Sequence, residues 1–205
     1  MFITLEGPEG SGKSMQICQL AEYIREQGFE VLTTREPGGT FIGDQIREVI
    51  MRMENTMMSP RAEILLFCAA RAQIVEEVIR PNLEKGLVVI SDRYADSTLA
   101  YQGYGHGLDL GILKEILRFA TGGLQPDLTL LLDVDVEEGL KRRRIGGGEW
   151  NRLDAHQIAF HQRVRQGYLK MAAEEPDRWR VINARQKPDQ VQKDLRLVVT
   201  QTLKH

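Results

Sequence analysis

Phe2-Ile3-Thr4-Leu5-Glu6-Gly7-Pro8-Glu9-Gly10-Ser11-Gly12-Lys13-Ser14 opens the chain, and its reading decides the fold. Residues 2–6 are a short apolar run that reads as a strand. Residues 7–14 match G-x-x-x-x-G-K-[ST], the phosphate-binding P-loop, and a helical pattern follows at once. Such a loop turns its backbone N–H groups, those of Glu9 and Ser11 included, toward an anion, and the following helix adds the positive end of its dipole. Gly7, Gly10 and Gly12 permit close backbone approach and unusual φ/ψ values. Lys13 is expected to reach the β- and γ-phosphates of a nucleotide, and the Ser14 hydroxyl to bind Mg²⁺.

Ile17, Leu20, Ala21 and Ile24 recur at helical spacing, so residues 13–27 read as an amphipathic helix stopped by Gly28. Residues 29–34 read as a second strand. Thr40 is placed to cap a helix with Ile42, Ile46, Val49, Ile50 and Met53 on its apolar face. Ser59-Pro60 opens a third helix, expected to run to about Arg80. Residues 87–91 and 128–132 are continuous apolar runs, as in strands covered on both faces of a parallel sheet. Asp109 caps a helix that Gly122-Gly123 ends. Asp135 with Glu138, and Asp154 with Gln157, read as capping boxes opening two more helices. A last strand at 180–183 and a helix marked by Val191, Leu195, Val198 and Val199 follow. Alternating strands and helices predict an α/β fold, a single domain over residues 1–205 with a parallel sheet of about five strands flanked by helices. Ligands then bind beyond the C-terminal strand ends.

The 205 residues carry 27 basic and 29 acidic side chains, a net charge of −2. Without a strongly basic face, nucleic acid is not an expected partner. No run of eighteen apolar residues predicts a membrane span, and no secretory signal is visible. Cys18 and Cys68 are expected to be small buried hydrophobes in a reducing compartment, which points to the cytoplasm. His106, His156, His161 and His205 show no metal-binding spacing.

Two further stretches carry chemistry. Asp92-Arg93-Tyr94 follows the 87–91 run, so Asp92 projects from the ligand edge of the sheet and suits Mg²⁺. Arg93 beside it suits a bidentate phosphate clamp; a plain surface ion pair is the competing reading. Phe67 and Arg71 lie one helical turn apart, and together could stack on a base and bond its carbonyl. A core phenylalanine with a snorkelling arginine explains the same spacing, and on periodicity alone is favoured.

These stretches closely resemble the signatures of bacterial thymidylate kinases. The resemblance rests on Thr34-Arg35-Glu36-Pro37-Gly38-Gly39-Thr40, Leu65-Leu66-Phe67 through Arg71-Ala72-Gln73, Asp92-Arg93-Tyr94 and Ala100-Tyr101-Gln102-Gly103, in the family's order behind the P-loop and over essentially the whole chain. It implies a P-loop nucleoside monophosphate kinase fold, transfer of the ATP γ-phosphoryl to dTMP with Mg²⁺, and a homodimer. By the same resemblance Phe67 stacks on thymine and Arg71 bonds a thymine carbonyl. Thr98 and Gln102 contact the base, with Ser97 beside them in the acceptor pocket. Tyr101 lies under the deoxyribose, Arg47 and Arg93 hold the dTMP phosphate, and Glu36 organises the pocket.

A carboxylate inside a phosphate loop repels phosphate, yet Glu9 sits there. In the family an acid at this position meets the acceptor's 3′-OH, and the catalytic arginine moves to a lid. Arg142, Arg143, Arg144, Gly146-Gly147-Gly148 and Arg152 therefore outline a lid at about residues 143–153. A helix C-terminus accounts for some of these arginines but not for the glycines. Arg144 and Arg152 are the leading candidates to act in transfer beside Lys13 and Arg93; Arg143 stays open, and Arg142 joins the ATP-binding set. The chain departs from the family pattern at Ala70 (commonly Asp), Ile74 (commonly His), Asp154 (commonly Glu) and Asn183 (often Asp). Two alternatives remain at this point: another P-loop nucleotide or deoxynucleoside kinase, and a non-catalytic nucleotide switch. A guanine-reading switch would carry N-K-x-D, which does not occur.

Overall fold

The computed structural model describes residues 1–146 and 150–203. Gly147, Gly148 and Glu149, the centre of the expected lid, lie outside the described residues. The five strands are β1 (Phe2–Glu6), β2 (Val31–Arg35), β3 (Val88–Asp92), β4 (Leu128–Asp133) and β5 (Trp179–Asn183). They form one sheet in the order β2-β3-β1-β4-β5, and every pairing is parallel. β1 thus stands between β3 and β4, and the chain leaves its carboxyl end where the connections of the two half-sheets diverge. Open α/β sheets bind ligands at such a point.

Helices cover both faces. α1 (Lys13–Glu26) and α9 (Pro188–Leu203) close one side, where Ile17, Leu20, Ile24, Leu195 and Val199 pack on Ile3, Leu5, Ile90 and Leu130. The other face packs in two parts. Ile74, Val75, Ile79 and Tyr94 meet Phe2 and Val89; Phe160, Val164 and Tyr168 of α8 (Ile158–Glu174) meet Leu131 and Trp179. Leu130 and Leu131 are successive residues serving opposite cores. That is why the strands read as unbroken apolar runs and not as alternating ones. Ile74 and Ala70 are fully buried, so the two departures from the family pattern on this helix are packing positions.

Several expectations are corrected. β2 starts at Val31, with Phe29 half exposed before it. The third helix is α3 (Pro60–Ile74), and the chain continues helically through a π-helical turn (Val75–Ile79) and α4 (Arg80–Glu84), past the expected stop. Pro81 is the second residue of α4 and follows the π-helical turn directly. Neither expected capping box forms. Asp135 flanks α7 (Val136–Ile145) without a side-chain cap; its carboxylate is taken by Arg165 at 2.7 Å and Arg185 at 3.2 Å. Asp154 lies four residues before α8, and accepts instead from the Asn151 N–H at 3.0 Å and from Arg143 at 3.1 Å. Cys68 is buried but Cys18 is exposed, on the solvent side of α1. Residues 95–105, for which the sequence showed no element, form α5 (Ala95–Thr98) and a second π-helical turn (Leu99–Gly105). The remaining helices, α2 (Phe41–Met51) and α6 (Leu110–Ala120), carry the caps expected at Thr40 and Asp109.

Candidate active site

A cavity of about 490 Å³ opens at the carboxyl end of β1. The P-loop forms one wall. Gly12 caps α1 in a left-handed conformation with no side chain over the helix end, which leaves the first-turn N–H groups facing the cavity. Gly10, also at positive φ, passes so close to α7 that a Cβ would overlap the Gly139 carbonyl; a Cβ on Gly139 would overlap the carbonyl of Glu9. Two glycines therefore set how closely the loop lies against α7. Lys13 Nζ spans the loop, donating to the carbonyls of Gly7 and Pro8 at 3.0 Å each. Burial lowers its pKa to about 8; Arg93 pushes the same way, while Asp92, Glu9 and Glu6 oppose.

Ser14 Oγ donates to Asp92 Oδ2 at 2.9 Å, so the two residues expected to hold Mg²⁺ meet across the β1–β3 edge. One hydroxyl and one carboxylate are hard oxygen donors. They fit an ion that keeps several waters and takes its other ligands from phosphates. Among the described residues, no group of three or more His, Cys, Asp or Glu is placed to hold a metal.

Arg93 is the centre of the site. Among the described residues it is the one non-glycine at positive φ (71°). Such strain persists where surrounding contacts over-determine it. Those contacts are here: Nη1 donates to Gly7 O, Ser97 Oγ and Tyr168 Oη at 3.1–3.2 Å. Nη2 donates to Glu9 Oε1 at 2.9 Å and Tyr101 Oη at 3.0 Å. The guanidinium also lies 5.0 Å from the Tyr101 ring centroid. The surface ion-pair reading therefore gives way to a buried, multiply held guanidinium. Burial would raise Glu9; Arg93 foremost, then Lys13 and the Tyr101 hydroxyl, outweigh it and hold the carboxyl at about 2. Glu9 thus stays charged inside a phosphate loop because two cations flank it.

Beyond Tyr101 lies the other wall. Phe67 is packed with Ile50 and Leu153. Arg71 is essentially inaccessible. Its Nε donates to Glu36 Oε2 at 2.7 Å, Nη1 to Thr98 Oγ1 at 3.0 Å and Nη2 to the Tyr94 carbonyl at 3.0 Å. It does not snorkel; it is the buried hub of this wall. Among the described residues, the buried Glu36 Oε1 has no hydrogen-bond partner. Gln102 is buried beside them. Arg47 and Arg35 add positive charge at the rim.

The cavity therefore brings together Glu9, Gly10, Ser11, Gly12, Lys13 and Ser14 with Glu36, Arg47, Phe67, Arg71, Asp92, Arg93, Ser97, Thr98, Tyr101 and Gln102. Gly7 stands behind the loop and contributes its carbonyl to Lys13 and Arg93. Of the lid arginines, Arg143 lines the cavity and the other three do not. Arg142 reaches Glu138 at 2.8 Å and the Ala184 carbonyl at 2.7 Å. Arg144 stacks on Trp150, 5.1 Å from the ring centroid. Arg152 pairs with the buried carboxylate of Glu63 and donates to the Ile50 carbonyl at 3.0 Å.

Glu63 was not singled out from the sequence. It also accepts from Gln102 Nε2 at 2.6 Å, and so ties Arg152, at the end of the expected lid, to the cavity wall that carries Gln102. Its signal was present: Glu63, Phe67 and Arg71 stand at i, i+4 and i+8, one face of α3. Met15, Met51, Asn151 and Leu153 likewise line the cavity without having been picked out.

The comparisons with known proteins agree with this geometry. A family profile described as thymidylate kinase matches residues 5–195. A thymidylate kinase of a Roseiflexus species is 54% identical over 197 residues, covering 91% of this chain and 87% of the relative. One from Thermomicrobium roseum is 52% identical over 203 residues, covering 99% and 96%. Among solved structures, the crystal structure of thymidylate kinase from Ehrlichia chaffeensis superposes with a TM-score of 0.80 at 32% identity, covering 97% and 98% of the two chains.

Proposed function

The chain belongs to the thymidylate kinase family, enzymes that transfer the γ-phosphoryl of ATP to dTMP, and we propose that the cavity at the carboxyl end of β1 does this with acceptor and donor meeting at Arg93. The observation that carries the reading is the cavity's polarity. A phosphate loop with Lys13 forms one wall, an aromatic and polar wall of Phe67, Arg71, Thr98 and Gln102 the other, and Arg93, Glu9 and Tyr101 stand between.

In this reading ATP lies along residues 7–14, with Lys13 on its β- and γ-phosphates. The base of dTMP stacks on Phe67, next to Arg71, Thr98 and Gln102. Tyr101 carries the sugar, Glu9 meets the 3′-OH, and Arg93 and Arg47 grip the acceptor phosphate. That phosphate is already a nucleophile, so no strong general base is needed; positioning and charge stabilisation do the work. Mg²⁺, held by Ser14 and Asp92, would supply further neutralisation of the phosphates. Arg143, which lines the same cavity as Lys13, is the lid arginine best placed to join them in the closed state. Each lid arginine would have to leave a partner to do so: Arg143 leaves Asp154, Arg144 leaves Trp150 and Arg152 leaves Glu63. The lid closes over ATP as part of one domain.

A coupled ADP-release assay across dTMP, dUMP, thymidine, AMP and GMP tests this reading. dTMP is expected to give the highest kcat/KM, and preference for any other acceptor would sink it.

We also place the enzyme in the cytoplasm as a homodimer. Among the described residues no helix is long and apolar enough to cross a membrane. α2 packs on α3, and α3 on α6. Their outer surfaces leave Phe41 (83% exposed), Leu65 (60%), Ile112 (63%) and Phe119 (90%) open to water. Apolar side chains concentrated on adjacent helices mark an association surface. Light scattering is expected to give about twice the 23.3 kDa chain mass; a monomer at micromolar concentration would rule the dimer out.

A further inference from the structure

Glu6 ends β1 immediately before the P-loop, is fully buried, and has no role in the reading above. It does not line the cavity. Its Oε1 accepts from the Tyr94 N–H at 2.8 Å. Its Oε2 accepts from Ser97 Oγ at 2.6 Å and from Tyr168 Oη at 2.9 Å. Those two hydroxyls stand 2.8 Å from each other, and both accept from Arg93 Nη1.

We propose that Glu6 is a positioning residue for Arg93: its carboxylate sets the direction of the Ser97 and Tyr168 hydroxyls so that both turn lone pairs toward the guanidinium. The inference rests on the reading of Arg93 as the clamp on the acceptor phosphate.

The argument is one of hydrogen-bond polarity. An ionised carboxylate only accepts. Ser97 must therefore donate to it, and Tyr168 must donate to it or to Ser97. In either arrangement the hydroxyl protons point away from Arg93, and the lone pairs point at it. Replacing the carboxylate by an amide reverses this. The Tyr94 N–H needs an acceptor, so the amide oxygen takes the place of Oε1 and the amide nitrogen that of Oε2. That nitrogen donates to the hydroxyls, whose own protons then turn toward a cation. Protonation of the carboxylate on Oε2 works in the same direction, bringing one donor proton where the amide brings two.

The groups facing Glu6 decide when that happens. Burial, reinforced by Asp96 on α5, raises its pKa to about 7; Arg93, then the Ser97 and Tyr168 hydroxyls, oppose. Asp96 is itself paired with Arg178 at 2.6 Å, and Lys13 on α1 is the other nearby cation.

The test compares Glu6→Gln with the parent, measuring kcat/KM for dTMP and KM for ATP from about pH 5.5 to about pH 8.5. At the alkaline end the variant is expected to lose about tenfold or more in kcat/KM for dTMP, the worth of a hydrogen bond to a charged group, with KM for ATP within about twofold. The parent-to-variant ratio should fall toward one at the acid end, because the parent then becomes protonated as well. Ionisation of the dTMP phosphate cancels in that ratio. A ratio that stays flat with pH, or that is below about two at the alkaline end, overturns the proposal. Tyr168→Phe removes one of the two hydroxyls and serves if Glu6→Gln does not fold. It should lower kcat/KM for dTMP by about threefold to tenfold with KM for ATP unmoved; an unchanged value for dTMP also overturns it. Arg93→Lys separates the two levels: normal turnover overturns the clamp reading and with it the role of Glu6, whereas an impaired Arg93→Lys beside an unaffected Glu6→Gln overturns the role of Glu6 alone.

Discussion

Arg93→Ala is expected to lower kcat/KM for dTMP by about a thousandfold, the scale seen when a preorganised charged donor is removed from a site of developing anionic charge. Arg93 directs two nitrogens at five protein acceptors, so its position is settled before any phosphate arrives. Preorganisation of this kind spares the reaction a reorganisation cost. The stability cost is expected to be smaller. Alanine releases a contact network, but Glu9 keeps Lys13 and the Tyr101 hydroxyl, 2.6 Å away. The sign of its pH dependence follows from Glu9, whose carboxyl goes from 4.5 to about 2 on folding. That depression contributes stability fully above 4.5, and the contribution is lost as pH falls toward 2. Arg93 is the foremost cause of the depression, so parent and variant should differ most at neutral pH and converge in acid. Initial rates together with urea titrations at several pH values measure both effects. Arg93→Lys should recover only part of the rate, since an ammonium restores charge without the planar fork. Turnover of Arg93→Ala within tenfold of the parent would show that the acceptor phosphate is held elsewhere.

What was legible in the sequence was what local signals encode. The P-loop, the apolar strands and the helix stops at Gly28 and Gly122-Gly123 are each written within a few residues. The residues that line the cavity beyond Tyr101 were legible together only through the resemblance to a family, since periodicity alone reads Phe67 and Arg71 as core. Residues 95–105 were not legible as helix because their geometry is set from outside. The π-helical turn has no apolar period of its own and is held by packing against α8. The capping-box expectations failed for a related reason. Asp135 and Asp154 had the right spacing, but arginines from distant elements bid for the same carboxylates and won. Arg152 shows the limit most clearly. Its basic charge beside a glycine run reads as a lid arginine, yet a carboxylate 89 positions earlier in the chain holds it. Local sequence cannot report a partner that only folding brings near.

Arg71 is the residue whose removal should cost the fold most. Arg71 and Glu36 have side chains 1% and 2% exposed. Breaking such a pair by deleting one partner costs about 3–5 kcal/mol, because the survivor is left charged and desolvated. Glu36 is poorly equipped to bear that: among the described residues its Oε1 already lacks a hydrogen-bond partner, and burial raises its pKa despite the opposing pull of Arg71. In Arg71→Ala the pull disappears and the folded-state pKa of Glu36 rises further above its unfolded value. A raised carboxyl pKa favours the folded state only where the group is protonated. The loss should therefore be full at alkaline pH and shrink as pH falls through the new folded-state pKa toward 4.5. Glu36→Gln placed on top of Arg71→Ala should recover much of the stability at neutral pH, since an amide carries no charge to desolvate. It should not recover dTMP selectivity if, as proposed, the Arg71 guanidinium beside Phe67 reads the base. Urea denaturation of the single and double variants at about pH 5 and about pH 8 reads the first part, and the dTMP-to-dUMP ratio of kcat/KM the second. A single variant destabilised by under about 1 kcal/mol at the higher pH would mean that water or another side chain reaches Glu36 when Arg71 is gone, against the penalty expected for an uncompensated buried charge.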